Sequence, residues 1–559
     1  MPLNRSLCPV LILIPIFLLG ISCNNRKSTP EHQLLVSSPA EVQAAATLLI
    51  TDQLNSNSPR QADSAVLVYL EEIRAIYSGS DYKPVWSDKL DWLPVGDSLF
   101  SFIQSSRLFG FFPEDYHFNE ISAVRDRFIA DSAGKDALRD AWLWSKADML
   151  LTDAFVGILH DIKLGRLPGD SITLRKDTAL NPGFYIEQLT ALLGGQAITG
   201  IVSSLEPKQR GYHDIRKGIP AFLSKATNKE FTKVPLRAKD PAGFKTLLQK
   251  RLFEEGYISF DSIPADSSTL ASSIKKYQQD KGLAVDGVAG DGTVRTLNTS
   301  DREKFIRIAI SLDKFKLLPE EMPGKYIWVN VPGYSMDVVE EDTVRFSSKI
   351  ICGKAKTQTP LLNGAISVLI TYPQWVPPPS IVKKEILPAV RKNPDYLARK
   401  GFSLVDSKGE VVDPYSVDWS KYTNMPYRVV QGSGDANALG IMKFHFDNKY
   451  SVYLHDTNQR YLFANAMRSL SHGCVRVQEW EKLTYYLLRN DSIASGRSSR
   501  IDSVKTWLQN KQKRHVALRN KMPVYIRYIT CEGKDGGIVF YDDPYGTDQL
   551  LRDRYFAGK

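Results

Sequence analysis

Apolar residues recur at helical spacing through the first part of the chain. Val66, Tyr69, Leu70, Ile73 and Tyr77 fall at i, i+3, i+4, i+7 and i+11, which predicts one helix face with Asp63 or Ser64 as its cap. Leu143, Ala147, Leu150 and Ala154 repeat the pattern in a second helix, expected to stop near Gly165 with Pro168 just beyond. Two shorter helical runs, 244–255 and 269–280, are flanked by turn-rich segments, with Lys281-Gly282 ending the second and Asp286-Gly287 supplying a tight turn. From about residue 301 the period changes to that of strands. Residues 326–331 alternate, and 335–339 and 344–351 flank Glu341-Asp342 in the manner of a hairpin. Alternation returns at 442–446 and 450–454. A helix with Trp480, Leu483 and Leu487 on one face follows, and a last strand is expected at 524–529.

Residues 372–436 break this rhythm with Pro373, Pro377, Pro378 and Pro379. The stretch is too long for an ordinary loop and carries apolar residues of its own, so it reads as a folded insertion or lid. The chain therefore divides into a leader (1–23), a polar tether (24–39), a helical scaffold (40–235), a small helical module (241–299), a mostly β domain (301–535) carrying the insertion, and a tail (536–559). The class is multidomain α+β, in keeping with 559 residues, too many for one compact core.

Composition changes this picture little. Hydrophobic residues make up 43% and charged residues 24%, which is ordinary globular composition. The net charge of +10 is spread without a Lys/Arg block, so nucleic acid is a poor partner, and an anionic wall or membrane surface fits better. The N-terminus is more specific. Arg5 precedes an apolar run from Val10 to Ile21 that is too short to anchor in a bilayer, so it reads as a secretory signal. The run ends Leu19-Gly20-Ile21-Ser22-Cys23, similar to a bacterial lipoprotein processing box; Cys23 is then the acylated first residue, and the periplasm or cell envelope, at a membrane, is the expected location. With Cys8 in the leader, Cys352, Cys474 and Cys531 remain, and at least one of the three stays free. A Cys352–Cys531 disulfide is open. With neither CxxC nor HExxH present, no metal site and no cofactor are expected.

The chemistry lies in Tyr453-Leu454-His455-Asp456-Thr457 and Ser471-His472-Gly473-Cys474-Val475-Arg476-Val477. An unassisted thiol, with a pKa of about 8.5, is mostly protonated near neutrality, so a cysteine nucleophile needs an imidazole nearby and donors for the developing oxyanion. His455 at a strand end is the expected general base and later acid. It is held at hydrogen-bond range from the thiol, with the Asp456 or Thr457 backbone orienting its other nitrogen. His472, two residues from Cys474, is expected on the other side of an extended loop as a supporting donor in the acyl pocket. The amides of Gly473 and Cys474 are candidate oxyanion donors, and Arg476 would lower the thiol pKa or hold a substrate carboxylate. Cys352 and Cys531 read as buried structural cysteines, and His117, His160 and His213 as isolated polar histidines.

His455 followed sixteen residues later by Ser471-His472-Gly473-Cys474 resembles the signature of the YkuD-type L,D-transpeptidases. Gln431-Gly432, Asn437-Ala438-Leu439-Gly440, Lys443-Phe444 and Tyr453–Thr457 resemble the large YcbB-like subgroup, and Trp375, Pro378, Ser380 and Ile381 the start of its capping subdomain; Tyr372 departs from it, standing where Asn is expected. Leu248, Gln249, Leu252, Gly256, Tyr277, Gln278, Gly282, Asp286, Gly287, Gly290, Thr293 and Leu297 make the small module similar to the peptidoglycan-binding type 1 domain. The resemblance implies that Cys474 attacks the third residue of a donor tetrapeptide stem, D-Ala leaves, and a diamino-acid side-chain amine resolves the thioester into a 3→3 cross-link. Ser471, Tyr453, Trp375, Asn437 and Arg476 are the expected substrate-binding residues, and peptidoglycan stem peptides the partner. The alternatives are a cysteine L,D-carboxypeptidase and a non-catalytic wall-anchoring lipoprotein.

Overall fold

The structure is a computed structural model. It describes residues 34–36, 38–55, 67–88, 91–132, 139–177, 179–227, 229–236, 240–259 and 266–559. The leader, Cys23, most of the tether, Val66 and the capping candidates Asp63 and Ser64 lie outside the described residues.

The scaffold is organised around α1 (Ala141–Lys163), a helix buried on nearly every side, which ends beside Gly165 as its sequence foretells. Its apolar residues join Phe100, Ile103, Phe111 and Ile201 in one core. Two buried acids on the same helix accept from backbone amides of other segments. Asp148 accepts from the Val85 and Trp86 amides at 2.8 and 2.9 Å, and Asp153 accepts from Val68 and Tyr69 at 2.9 and 2.8 Å. Buried carboxylates survive where backbone donors surround them. The helix predicted around Tyr69 starts at Leu70, with those Asp153 contacts at its N-terminus. His117 is not isolated, because its Nε2 meets Asp153 Oδ2 at 2.6 Å.

The small module contains helices Pro241–Glu254, Ser267–Asp280 and Asp291–Asn298 around Leu248, Leu252, Ile274, Tyr277 and Leu297. Gln278, buried on the second helix, accepts from the Asp286 and Gly287 amides and so fixes the turn that follows.

The mostly β domain does not begin with strands at 301. A helix, α3, spans Asp301–Lys316, and α2 (Arg210–Leu223) of the scaffold packs with it. Ser300 accepts from the Glu303 amide at 3.2 Å, a capping arrangement that outweighs the strand reading of this stretch. The strands follow: β1 Lys325–Asn330, β2 Ser335–Glu340, β3 Thr343–Gly353, β4 Leu362–Thr371, β5 Met442–His445, β6 Leu454–His455, β7 Ser469–Ser471, β8 Val475–Val477 and β9 Arg514–Arg527. They form one sheet in the order β7-β3-β8-β6-β5-β4-β9-β1-β2, and β2 also pairs with β3, closing the ladder on itself. The β2–β3 turn holds Glu341 and Asp342 at φ 48° and 54°, as a tight hairpin demands. Inside lie Ile327, Met336, Leu369, Phe444, Leu454, Val475 and Val524, covered by Leu483 and Leu487 of α4 (Trp480–Ser495).

Two further expectations need correction. Residues 450–454 are not a strand. Asn448 accepts from the Tyr450 and Val452 amides, Ser451 takes φ 55°, and only Leu454–His455 pairs. Residues 536–559 are not a tail. The hairpin Cys531–Lys534/Gly537–Phe540 and α5 (Thr547–Tyr555) place Cys531, Phe540 and Phe556 in the cluster built by α2, α3 and Phe112.

The insertion has its own core, with Ile386, Leu387, Val390, Leu397, Leu404, Trp419 and Val429 packing beneath a three-stranded sheet (402–405, 411–412, 428–431). Its neck is a pair of backbone hydrogen bonds between Trp375 and Gln431, at 3.0 and 2.7 Å.

Candidate active site

Parallel pairing of β6 with β8 sets Leu454 beside Val475 and His455 beside Arg476. Antiparallel pairing of β5 with β6 sets Lys443 beside His455. Leu454, Val475 and Phe444 point into the core, so the alternate residues share the opposite face. That face carries Lys443, Tyr453, His455, Cys474 and Arg476. Tyr453 and Cys474 are lateral neighbours, since the Val475 amide donates to the Tyr453 carbonyl at 3.2 Å.

Cys474 is the one partly exposed thiol of the three described. Cys352 and Cys531 are buried and free, with burial pushing them up to about 11 and about 12. The open disulfide is therefore not formed. Burial also raises the Cys474 thiol, against which the Tyr453 backbone N–H and phenol, then Lys443 and Arg476, pull it down. Its Sγ lies 4.0 Å from the Ser451 carbonyl. The Tyr453 hydroxyl stands between Cys474 and the Trp375 indole, so the neck of the insertion touches the site.

His455 is 4% exposed. Burial first, then the positive charges of Arg476 and Lys443, drive its pKa down to about 3, opposed by the carbonyls of Asp456 and Leu439. Its ring is therefore neutral at ordinary pH. Its Nδ1 has no partner. Among the described residues no hydrogen bond joins His455 to the thiol, contrary to expectation. The two are diagonal neighbours on adjacent strands, and the thiol's immediate contacts are Tyr453 and Ser451.

Four other expectations change. The Gly473 amide is not aimed at an oxyanion, because at φ 122° it donates to Ser471 Oγ at 3.2 Å. Ser471 does not face a substrate. It is 3% exposed and its hydroxyl donates to the Cys474 carbonyl at 2.7 Å, which shapes the loop. Asn437, also buried, bonds the Gly432 carbonyl and the Leu439 amide and builds the turn before β5. His472 turns away from the thiol, and its Nε2 meets Glu385 Oε1 of the insertion at 2.6 Å. Glu385 sits in a π-helical turn, Val382–Ile386, inside an otherwise α-helical stretch. Lys443, which enters the sequence reading only within a resembling run and with no role, and Glu385, which does not enter it, are further residues at the site. Lys443 holds an ordinary polar position between the apolar alternates Met442 and Phe444, and nothing local marks Glu385.

Residues 324–494 match the L,D-transpeptidase catalytic domain family (YkuD), residues 71–219 the Scaffold domain, and residues 246–297 a peptidoglycan binding domain. A candidate L,D-transpeptidase of Haemophilus influenzae is 32% identical over 246 residues, which is 44% of this chain and 48% of that protein, so the match spans about half of its length. Two solved L,D-transpeptidases, from Xylanimonas cellulosilytica and Stackebrandtia nassauensis, align over 54% of this chain and 100% and 96% of theirs, at 13% and 15% identity and TM-scores of 0.15 and 0.17, too low to inform the site.

Proposed function

We propose that this chain, with a YkuD-type catalytic domain, a scaffold domain and a peptidoglycan-binding module, is a cell-envelope L,D-transpeptidase that uses Cys474 to form 3→3 cross-links. The observation that carries the reading is the one partly exposed thiol among the described residues, set against the Tyr453 phenol and amide on the face that also bears His455.

The resting pair is a protonated thiol and a neutral imidazole, because burial disfavours the charge on each. Substrate binding then has to bring the proton transfer about. As Sγ attacks the carbonyl of the third stem residue, its proton passes to His455 and the Tyr453 donors stabilise the growing charge on sulfur. With the Gly473 amide engaged, the Cys474 amide remains as the oxyanion donor. His455 returns the proton to the departing D-Ala amine, leaving a thioester. The side-chain amine of a second stem attacks the thioester, gives its proton to His455, and expels the thiolate, which recovers that proton. The insertion covers this step and keeps water from competing with the amine.

The deciding measurement is mass spectrometry of peptidoglycan digested after incubation with the purified protein. Wild type yields 3→3 dimers, and Cys474→Ala yields none while keeping its circular dichroism. Dimers above background with the variant refute the nucleophile, and free tripeptide without dimers assigns the protein as a carboxypeptidase. The envelope location is read by fractionation. Cys23→Ser should move the protein from the membrane to the soluble fraction, and unchanged fractionation removes the lipid anchor.

A further inference from the structure

We propose that Lys443 and Arg476 together clamp the free carboxylate at the end of the donor stem, which makes Lys443 a specificity-determining residue of the reaction proposed above; the inference rests on that reading. Lys443, His455 and Arg476 are register partners across β5, β6 and β8, so the two cations flank the imidazole from either side. Lys443 Nζ stands 3.8 Å from the centre of the Tyr453 ring, and Tyr453 is the neighbour of Cys474. Arg476 gives Nη1 to Gln459 Oε1 at 3.1 Å, while its buried Nε has no partner.

Among the described residues neither cation is paired with a carboxylate. The acids around the site are engaged elsewhere: Asp456 with Arg460 at 2.6 Å, Glu385 with His472 at 2.6 Å, and Asp435 with Lys511 at 2.5 Å. Two half-buried positive charges without an acid cost free energy that an arriving anion would offset. The thiol does not supply that anion at rest, since burial holds it protonated; burial also lowers the pKa of Lys443 itself.

The substrate supplies one at a matching distance. The departing D-Ala is a single residue, so its carboxylate lies roughly 4–5 Å from the carbonyl under attack. Strands are about 4.8 Å apart, and same-face neighbours along a strand about 7 Å apart, which puts a group bound at Cys474 within reach of both cations. A clamp of this kind favours stems that end one residue past the attacked carbonyl. It disfavours a stem whose last carboxylate is masked or moved further out.

The test uses the full chain with Cys474→Ala, a synthetic stem tetrapeptide with a free C-terminal carboxylate, and the same peptide as its C-terminal amide. The carboxylate form should bind on the order of 10- to 100-fold more tightly, as expected for charge-assisted hydrogen bonds. Adding Lys443→Met should shrink that preference to about twofold by weakening the acid alone, and Lys443→Arg should keep most of it. With Cys474 restored, the rate of thioester formation, followed by intact-protein mass, should show the same acid-over-amide ratio and the same loss. Equal binding of acid and amide, or equal weakening of both by Lys443→Met, overturns the clamp. A raised thiol pKa in Lys443→Met with an unchanged acid-to-amide ratio also overturns it, since Lys443 then serves only as the thiolate's counter-charge. Preference for the acid in binding, with no thioester from either peptide, supports the clamp and refutes the transferase reading instead.

Discussion

The carboxylate of Glu385 and the imidazole of His472 meet at 2.6 Å across the boundary between the insertion and the catalytic loop. His472 belongs to the segment that carries the thiol, and Glu385 to a π-turn of the insertion, a geometry often found where a helix must present a functional group. The pair is exposed, so it is worth little to stability, about 1 kcal/mol or less. Its consequence is the angle at which the insertion sits. His472→Ser and Glu385→Ala should each leave substantial activity and a near-normal thiol pKa. They should also raise hydrolysis relative to transfer by similar factors, and the double variant should be no worse than either single one. Additive losses, or an inactive His472→Ser protein, would show that the imidazole acts on the substrate rather than on the insertion.

Removing the insertion tests its role more severely. Trp375 and Gln431 hydrogen-bond to each other's backbone, so residues 377–429 can be replaced by a short Gly-Ser turn without opening β4 or β5. The shortened protein should stay folded and release more free tripeptide per cross-link, on the order of several-fold. An unchanged product ratio would mean that water is excluded by some other part of the protein.

Burial of neutral His455 ties stability to pH. Its pKa is about 3 folded against an ordinary 6.5, so between those values the unfolded chain binds more protons and stability rises with pH. The contribution is complete above pH 6.5 and is lost as pH falls toward 3. Between pH 7 and 4.5 this group alone should cost about 2–3 kcal/mol. His455→Asn should remove that slope in denaturant titrations of the catalytic domain, and cut turnover by about 10² to 10⁴. A variant with the wild-type pH slope would place the titrating group elsewhere.

Gly440 governs where that histidine stands. It takes φ 64°, and a Cβ there would lie 2.3 Å from Asp456 Oδ2 and 2.6 Å from the Thr457 amide. Gly440→Ala should destabilise by about 1–3 kcal/mol. It should also lower acylation more than binding, because β6 is displaced with the clash. Full activity with unchanged melting would remove Gly440 from this account.

Much of the site was legible because it is local. Strands β1 to β3 and the loop 471–477 declare themselves by alternation and by Ser-His-Gly before the cysteine. The illegible parts depend on pairing. Nothing near Lys443 announces that it lies opposite His455, because that register is set by the turn through Asn448 and the Gly440–Asp456 approach. Ser471 and Asn437 look like ligand-binding polar residues, yet their side chains are consumed by neighbouring amides and carbonyls, and burial is not visible in residue type. Helix α3 was missed although Ser300 and Glu303 form its cap, a signal present in the sequence.

Because Cys531, Phe540 and Phe556 complete the cluster that Phe112, Tyr212 and Phe305 begin, this core joins residues more than four hundred positions apart. During synthesis the earlier half of that cluster must wait, its apolar face uncovered, until the later half emerges. The α2–α3 region thus matures only once residues 531–559 have been made, and a nascent chain halted before residue 531 leaves that apolar face exposed.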